Sequence, residues 1–559
     1  MFTARVRLGR PNRRQRVRLL LLLLLVAVLS VTAGTVLSDL IWPAAPGDVR
    51  TRADDLGRVQ GAGAPDCAGR ALSADRQLRG MWLTTVNNID WPSRPGLPTD
   101  VVKAEYRSWL DLAERLNHNA IFVHVRPSGD ALWPSRFAPW SEWLTGRRDG
   151  RGPGWDPLGW MVAETRARNL EFHAWFNPYR ASQPATVGGA GKDFAKLAPN
   201  HPLRTNRSWA VAHPAKAKNS RLYYNPGIPE ARQFVEDSIL DAVERYDIDG
   251  VHFDDFFYPY PEGEDFADDA TFARYGSKFT EKAQWRRHNV DLFVREMSER
   301  IKAAKPWVKF GISPFGIWRN KATDPLGSPT SGLESYDAIF ADSRKWVRSE
   351  WVDYIVPQLY WHIGFEKADY AKLLSWWTRV VGGTRVQLYI GQADYRVGQA
   401  GPWRDPAELD RQLALNARHG VDGSVHFSAK QALADRLGSV SRYRAAHYAE
   451  PALIPTMSRL PAAPGQAPTV TAAGRDTTGT VTVSWRPAPG AQPTGFAIYR
   501  VDSAAGEQAR LVAIRRATSD AEHRWTDRTT DPRRSYAYCI TALDRAWNEG
   551  SPSAARTVT

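Results

Sequence analysis

From Gly80 onward the chain alternates between two kinds of segment: short apolar runs rich in β-branched and aromatic residues, and longer stretches whose apolar residues recur every three or four positions. The first pattern fits a strand buried on both faces, and the second fits a helix with one apolar face. The runs predict strands over Met81–Val86, Ala120–Arg126, Glu171–Asn177, Gly250–Phe256, Lys309–Pro314, Tyr354–Tyr360, Arg385–Ile390 and Gly423–Phe427. Between them the spacing predicts helices that include Val102–Leu116, Leu158–Arg168, Ile228–Tyr246, Trp285–Ala304, Lys367–Val381 and Asp405–His419. Eight strands alternating with helices predict an α/β fold, a (β/α)8 TIM barrel over residues 76–450 with enlarged loops after its strands. No glycine-rich dinucleotide fingerprint follows the first strand, which disfavours an open doubly wound sheet.

The flanks follow other patterns. Seven arginines stand within the first eighteen residues, and an apolar run of 19 residues extends from Leu19 to Leu37. This predicts a basic leader over residues 1–38 that is either a signal peptide or an uncleaved membrane anchor, since about 20 apolar residues span a bilayer. With the basic flank held inside, the rest is expected outside the cytoplasm, secreted or anchored by the N-terminal helix. Residues 39–75 are rich in Ala, Gly, Pro and Asp without a period, and residues 451–468 are rich in proline; both are expected to be linkers. Residues 469–559 lack a helical period and alternate in strand fashion over Val481–Trp485, Gly495–Arg500 and Ser535–Ala542, which predicts a small all-β sandwich. Those strands resemble a fibronectin type III module.

Composition changes this picture little. The 559 residues include 23 Trp, enough to fill a large core or to stack on sugar faces. Without the leader arginines about half of the net charge of +14 remains, a mild basic surface with no aromatic-interleaved patch for nucleic acid. Cys67 and Cys539 lie in different predicted modules and do not form a disulfide framework; whether they pair is left open.

A TIM barrel carries its chemistry at the C-terminal ends of its strands, and here those ends are polar. Strand two closes on His124 and Arg126, strand three on His173 and Asn177 with Tyr179 just beyond, strand four on His252, Asp254 and Asp255, and strand six on Gln358, Tyr360 and Trp361. Glycosidic cleavage needs two carboxyl groups flanking the scissile bond. Asp254 is the expected nucleophile. Neighbouring strand residues face opposite ways, so Asp255 pairs with it only if the strand has already ended; the other candidates are Asp130, Asp342 and Glu142. Arg126, His173, Asn177, Tyr179, His252, Gln358, Tyr360 and Trp361 are expected to hold or stack on substrate. No HExxH or clustered ligand spacing is present, so neither metal nor cofactor is expected. A Gly-x-Ser-x-Gly elbow is also lacking, which disfavours a serine hydrolase.

Over about Leu78 to Tyr443 the chain resembles the glycosyl-hydrolase-like family ten. The resemblance rests on Arg79-Gly80-Met81-Trp82, Val125-Arg126-Pro127, Gly154-Trp155-Asp156-Pro157, His173 to Arg180, Tyr224-Asn225-Pro226-Gly227, Asp249 to Tyr258, Gly311 to Gly316, Ala341 to Trp346 and Pro357 to Trp361. The family is similar to amylase-type and α-galactosidase-type barrels, which implies retaining chemistry with Asp254 as nucleophile. Some relatives are implicated in cutting peptidoglycan glycan strands stripped of stem peptides, which implies a cell-wall polysaccharide as partner. Strand six departs from the α-galactosidase arrangement, offering Gln358 and Tyr360 where an acid/base carboxylate would stand. The rival reading is a non-catalytic glycan-binding or scaffolding protein.

Overall fold

The computed structural model describes residues 72–502 and 508–558. The leader, its apolar run and Cys67 lie outside these residues; among the described residues no helix is long and apolar enough to cross a membrane.

Eight parallel strands close into a barrel: β1 (Leu78–Leu83), β2 (Ala120–Arg126), β3 (Glu171–Phe176), β4 (Gly250–Phe253), β5 (Lys309–Ile312), β6 (Tyr354–Ile355), β7 (Gln387–Gln392) and β8 (Gly423–His426). Each strand pairs with its sequence neighbours, and β8 pairs with β1 to complete the ring. Helices α1 (Thr99–Arg115), α2 (Pro157–Ala167), α3 (Pro229–Arg245), α4 (Lys282–Ala304), α5 (Tyr370–Val381) and α6 (Glu408–Arg418) fall where the periodicity places them. The two-residue alternation of the strands sorts their side chains. Met81, Ile121, Val123, Phe172, Val251 and Phe310 pack outward in the cluster that includes the helices, whereas Leu78, Trp82, Phe122, Trp175, Tyr354 and Val425 form the interior cluster. Three strands stop three or more residues earlier than their apolar runs suggest. β1 ends at Leu83 because the Thr84 amide donates to the Asp90 carboxylate (2.8 Å). β6 ends at Ile355 just before Pro357, which has no N–H to give the ladder. β4 ends at Phe253, with consequences for the site.

The C-terminal module is a sandwich of two antiparallel sheets. One contains β9 (Thr469–Arg475), β10 (Val481–Arg486) and β13 (His523–Asp527); the other contains β11 (Gly495–Asp502), β12 (Ala509–Arg516), β14 (Tyr536–Leu543) and β15 (Arg556–Val558). Trp485, Phe496 and Ile540 fill the space between them. Leu72–Ser73 joins the second sheet by pairing in parallel with Ala509 and Arg510. The proline-rich segment after the barrel lies beneath the barrel floor: Ile454, Met457 and Leu460, with Ala546 of the sandwich, are buried in the interior cluster of the barrel. The N-terminal end of the barrel is thereby sealed, and the opposite end, the mouth, holds the site.

Candidate active site

Because β4 ends at Phe253, the alternation that would send Asp254 and Asp255 to opposite faces no longer applies, and both carboxylates are buried, each 5% exposed. They lean toward different neighbours. Asp254 accepts the Trp175 indole N–H (3.2 Å) and both of its oxygens accept from Asn177 Nδ2 (3.2 and 3.1 Å). The orientation of the Asn177 amide is set because its Oδ1 accepts the Arg180 backbone N–H (3.1 Å), which leaves Nδ2 to face the aspartate. Asp255 accepts from Gln358 Nε2 (3.1 Å) and from the Tyr260 hydroxyl, and Gln358 also donates to the Ser313 carbonyl (3.0 Å). Strands β3 and β4, with the segment beyond β6, therefore converge on two adjacent acids.

The electrostatics set the two acids apart. Burial, followed by the neighbouring Asp255 charge, pushes the Asp254 carboxyl up to about 7 against the opposing pull of Arg180, Asn177 and Trp175. Burial also raises Asp255, and its hydrogen bonds from Tyr260 and Gln358 counter the rise. Of the two, Asp254, raised by burial and by the adjacent Asp255 charge, holds a proton the more readily. Arg180, whose guanidinium donates to the Pro127 carbonyl (3.2 and 3.1 Å), supplies the positive field beside Asp254.

The other expected residues lie as follows. Arg126 is fully buried and donates to the carbonyls of Asn177 (2.8 Å) and Pro178 (2.9 Å), bracing the loop that carries Asn177. Asp130 accepts the Ser128 amide (2.6 Å) within its own loop. Asp342 caps the short helix Ser343–Arg348 and accepts from Trp318 Nε1 (2.8 Å), while Glu142 pairs with Arg148; none of these three acids bonds to a member of the aspartate pair. Tyr179 is fully buried with its ring against Phe293 of α4, on the outer side of the barrel wall. His173 and His252 are likewise fully buried, inside the barrel below the mouth, with all ring nitrogens hydrogen-bonded to protein groups. This corrects their expected placement at the substrate: alternation aligned them with Asn177 and Asp254 but one layer down. Asn177 and Gln358 instead bond the two aspartates, and Tyr360 and Trp361 are half-buried.

Two contributors, Trp175 and Tyr260, join the residues expected from the strand ends. Trp175, on the face shared by His173 and Asn177, holds Asp254, and its ring is stacked on His124 (3.9 Å between centroids). Tyr260 holds Asp255, and its ring meets Phe256 and Phe315 edge-on, with Phe315 in turn against Trp361. Tyr360 packs near Tyr395 and Phe427. The half-buried rings beside an acid pair make a surface suited to sugar faces. Among the described residues no group of three or more His, Cys, Asp or Glu could hold a metal ion.

The family model described as glycosyl hydrolase-like 10 matches residues 77–407. The chain is 43% identical over 490 residues to the glycosyl hydrolase YngK of Bacillus subtilis, covering 86% of this chain and 93% of that protein. It is 39% identical over 372 residues to the glycosyl hydrolase DigH of Escherichia coli K12, covering 63% of this chain and 83% of that protein.

Proposed function

Because the chain belongs to the glycosyl hydrolase-like 10 family, we propose that it cleaves O-glycosidic bonds in a cell-envelope polysaccharide of the peptidoglycan glycan-strand type, using Asp254 and Asp255 as its two carboxyl groups. One observation carries this reading: two buried, electrostatically coupled aspartates at the end of β4, one of them raised to about 7. A carboxyl that keeps its proton near neutrality is suited to protonate a departing sugar oxygen, and an ionised partner is suited to meet the positive charge that develops at the anomeric carbon. Asp254 is thus the acid and Asp255 the nucleophile, the reverse of what the resemblance implies for Asp254. Asp130 and Asp342 are left to their local roles. Asn177, Gln358 and Arg180 orient the pair, and Tyr260, Tyr360 and Trp361 offer ring faces to the glycan. Retention of configuration follows from a carboxylate nucleophile. The polysaccharide, and a place of action outside the cytoplasm as the leader suggests, complete the reading.

The test is release of reducing ends from purified glycan strands stripped of stem peptides, by the parent protein and by Asp254→Asn and Asp255→Asn. Turnover is expected from the parent alone, with the β- or α-configuration of the bond preserved in the first-formed product. Equal release by parent and variants would overturn the assignment of the pair.

A further inference from the structure

Below the aspartates, the barrel interior is crossed by a line of buried polar side chains that the proposed chemistry does not use. At the floor, Glu171, the first residue of β3, accepts Lys309 Nζ (2.6 Å) and Trp547 Nε1 (2.7 Å) on one oxygen and His173 Nε2 (2.9 Å) on the other. The second nitrogen of His173 meets the Tyr354 hydroxyl (2.9 Å), which also meets His252 Nδ1 (3.3 Å). His252 Nε2 accepts the Trp82 indole N–H (3.2 Å). Glu171 is 4% exposed and Trp82 2%, while His173, His252 and Tyr354 are fully buried. The strands make room for this line with glycine: a Cβ on Gly250 would stand 2.4 Å from His173 Nδ1, and one on Gly311 would stand 2.1 Å from the Tyr354 ring. Glycine weakens a strand interior, so its use here marks close approach by another side chain.

The donors fix a direction. An indole N–H only donates, so His252 Nε2 is the bare nitrogen; burial and nearby His173 hold this imidazole well below its ordinary range, so its one proton sits on Nδ1. That proton goes to the Tyr354 oxygen; with His173 as the Nε2–H tautomer facing Glu171, the Tyr354 proton goes to His173 Nδ1 and the His173 proton to Glu171. Every proton in the line points toward the anionic floor. The upper end reaches the site: the rings of Trp82 and Trp175 pack against His252 (5.9 and 6.5 Å), and Trp175 is the donor to Asp254. The lower end belongs to the C-terminal sandwich. Trp547 adopts a positive φ (64°), uncommon for a bulky residue, held by its amide bond to the Asp544 carbonyl (3.2 Å) and by Arg76 on its own carbonyl (3.0 Å).

We propose that the C-terminal sandwich is a positioning element of the catalytic centre: Trp547 anchors Glu171, and the directed line through His173, Tyr354 and His252 fixes the ring layer on which Asp254 rests. These are positioning residues, and the proposal rests on the reading of Asp254 as catalytic. It contrasts with the spacer role that a fibronectin-like module suggests.

The experiment uses the full chain without its leader, as parent, Trp547→Phe, Tyr354→Phe and the double variant; each substitution removes a polar atom and keeps a ring. On stripped glycan strands, Trp547→Phe is expected to lower kcat about tenfold with KM unchanged, as loss of preorganisation does. Tyr354→Phe should cost at least as much, and the double variant no more than Tyr354→Phe, since the line is already cut. Additive losses, or a folded Trp547→Phe with parental kcat, overturn the proposal. A second readout is independent of turnover: 15N-histidine spectra of the parent should show His252 as the Nδ1–H tautomer, with its resonances shifted in Trp547→Phe. An Nε2–H tautomer, or unshifted resonances, overturns the line even if no glycan is cleaved; a correct tautomer with no turnover in the parent overturns the proposed function instead.

Discussion

The mouth and the floor of this barrel bury carboxylates to the same degree and treat them in opposite ways. Glu171 at the floor is 4% exposed and Asp254 at the mouth 5%. Burial raises both, but at Glu171 the Lys309 ammonium and then His173 more than reverse the effect, whereas at Asp254 a neighbouring negative charge adds to it. Glu171 has three donors within 2.9 Å, one of them charged, while the side-chain donors to Asp254 are neutral and lie at 3.1 to 3.2 Å. A carboxylate that holds its neighbours in place is given a cation and short hydrogen bonds. Asp254 is left under-compensated, and under the proposed function the stability lost there is the cost of a usable acid.

Four measurements would break or sharpen this contrast. The largest effect is expected at the mouth: Asp254→Asn should lower kcat about 10³-fold or more on stripped glycan strands, followed as reducing ends. At the floor, Lys309→Met leaves Glu171 without its cation and should destabilise the protein by about 3 kcal/mol or more in a urea titration, because a buried charge loses its partner. The third test is pH. The folded-state pKa of Asp254 lies above its unfolded value, so its stabilising contribution is complete below about 4 and lost as pH rises through about 7. Asp254→Asn, which cannot ionise, should therefore gain on the order of 2 kcal/mol over the parent at pH 8 and little at pH 4, in paired denaturation curves. Glu171 runs the other way: its folded pKa is depressed, so its contribution is present above the unfolded value and lost in acid. In the parent, kcat/KM should fall as pH rises through about 7, where Asp254 loses its proton. The smallest effect is expected from Tyr260→Phe, which removes a donor that holds Asp255 down; kcat/KM should drop about tenfold and the acidic limb of its pH profile move upward.

Much of this was legible along the chain. The apolar runs and 3.6-residue spacing predicted the eight strands and flanking helices, because local burial on both faces of a parallel strand leaves a mark no loop imitates. Asp254 stood out as an acid closing a barrel strand, and Asn177 and Gln358 as polar strand ends near it. Where the strands stopped was harder to read, because Thr84 and Pro357 end β1 and β6 through hydrogen bonds made or missing, which hydrophobicity does not record.

Taken by itself, the sequence determined the barrel, the sandwich and the family, since each is written in periodicity or in a contiguous motif. Only the tertiary structure decided that Asp255 stands beside Asp254, because that depends on β4 ending at Phe253. It also decided that His173 and His252 belong to the interior, and that Trp547, 376 residues from Glu171, closes the floor. Hydrogen-bond partners distant along the chain and the depth of a side chain within a layer are products of closure, and no local pattern carries them.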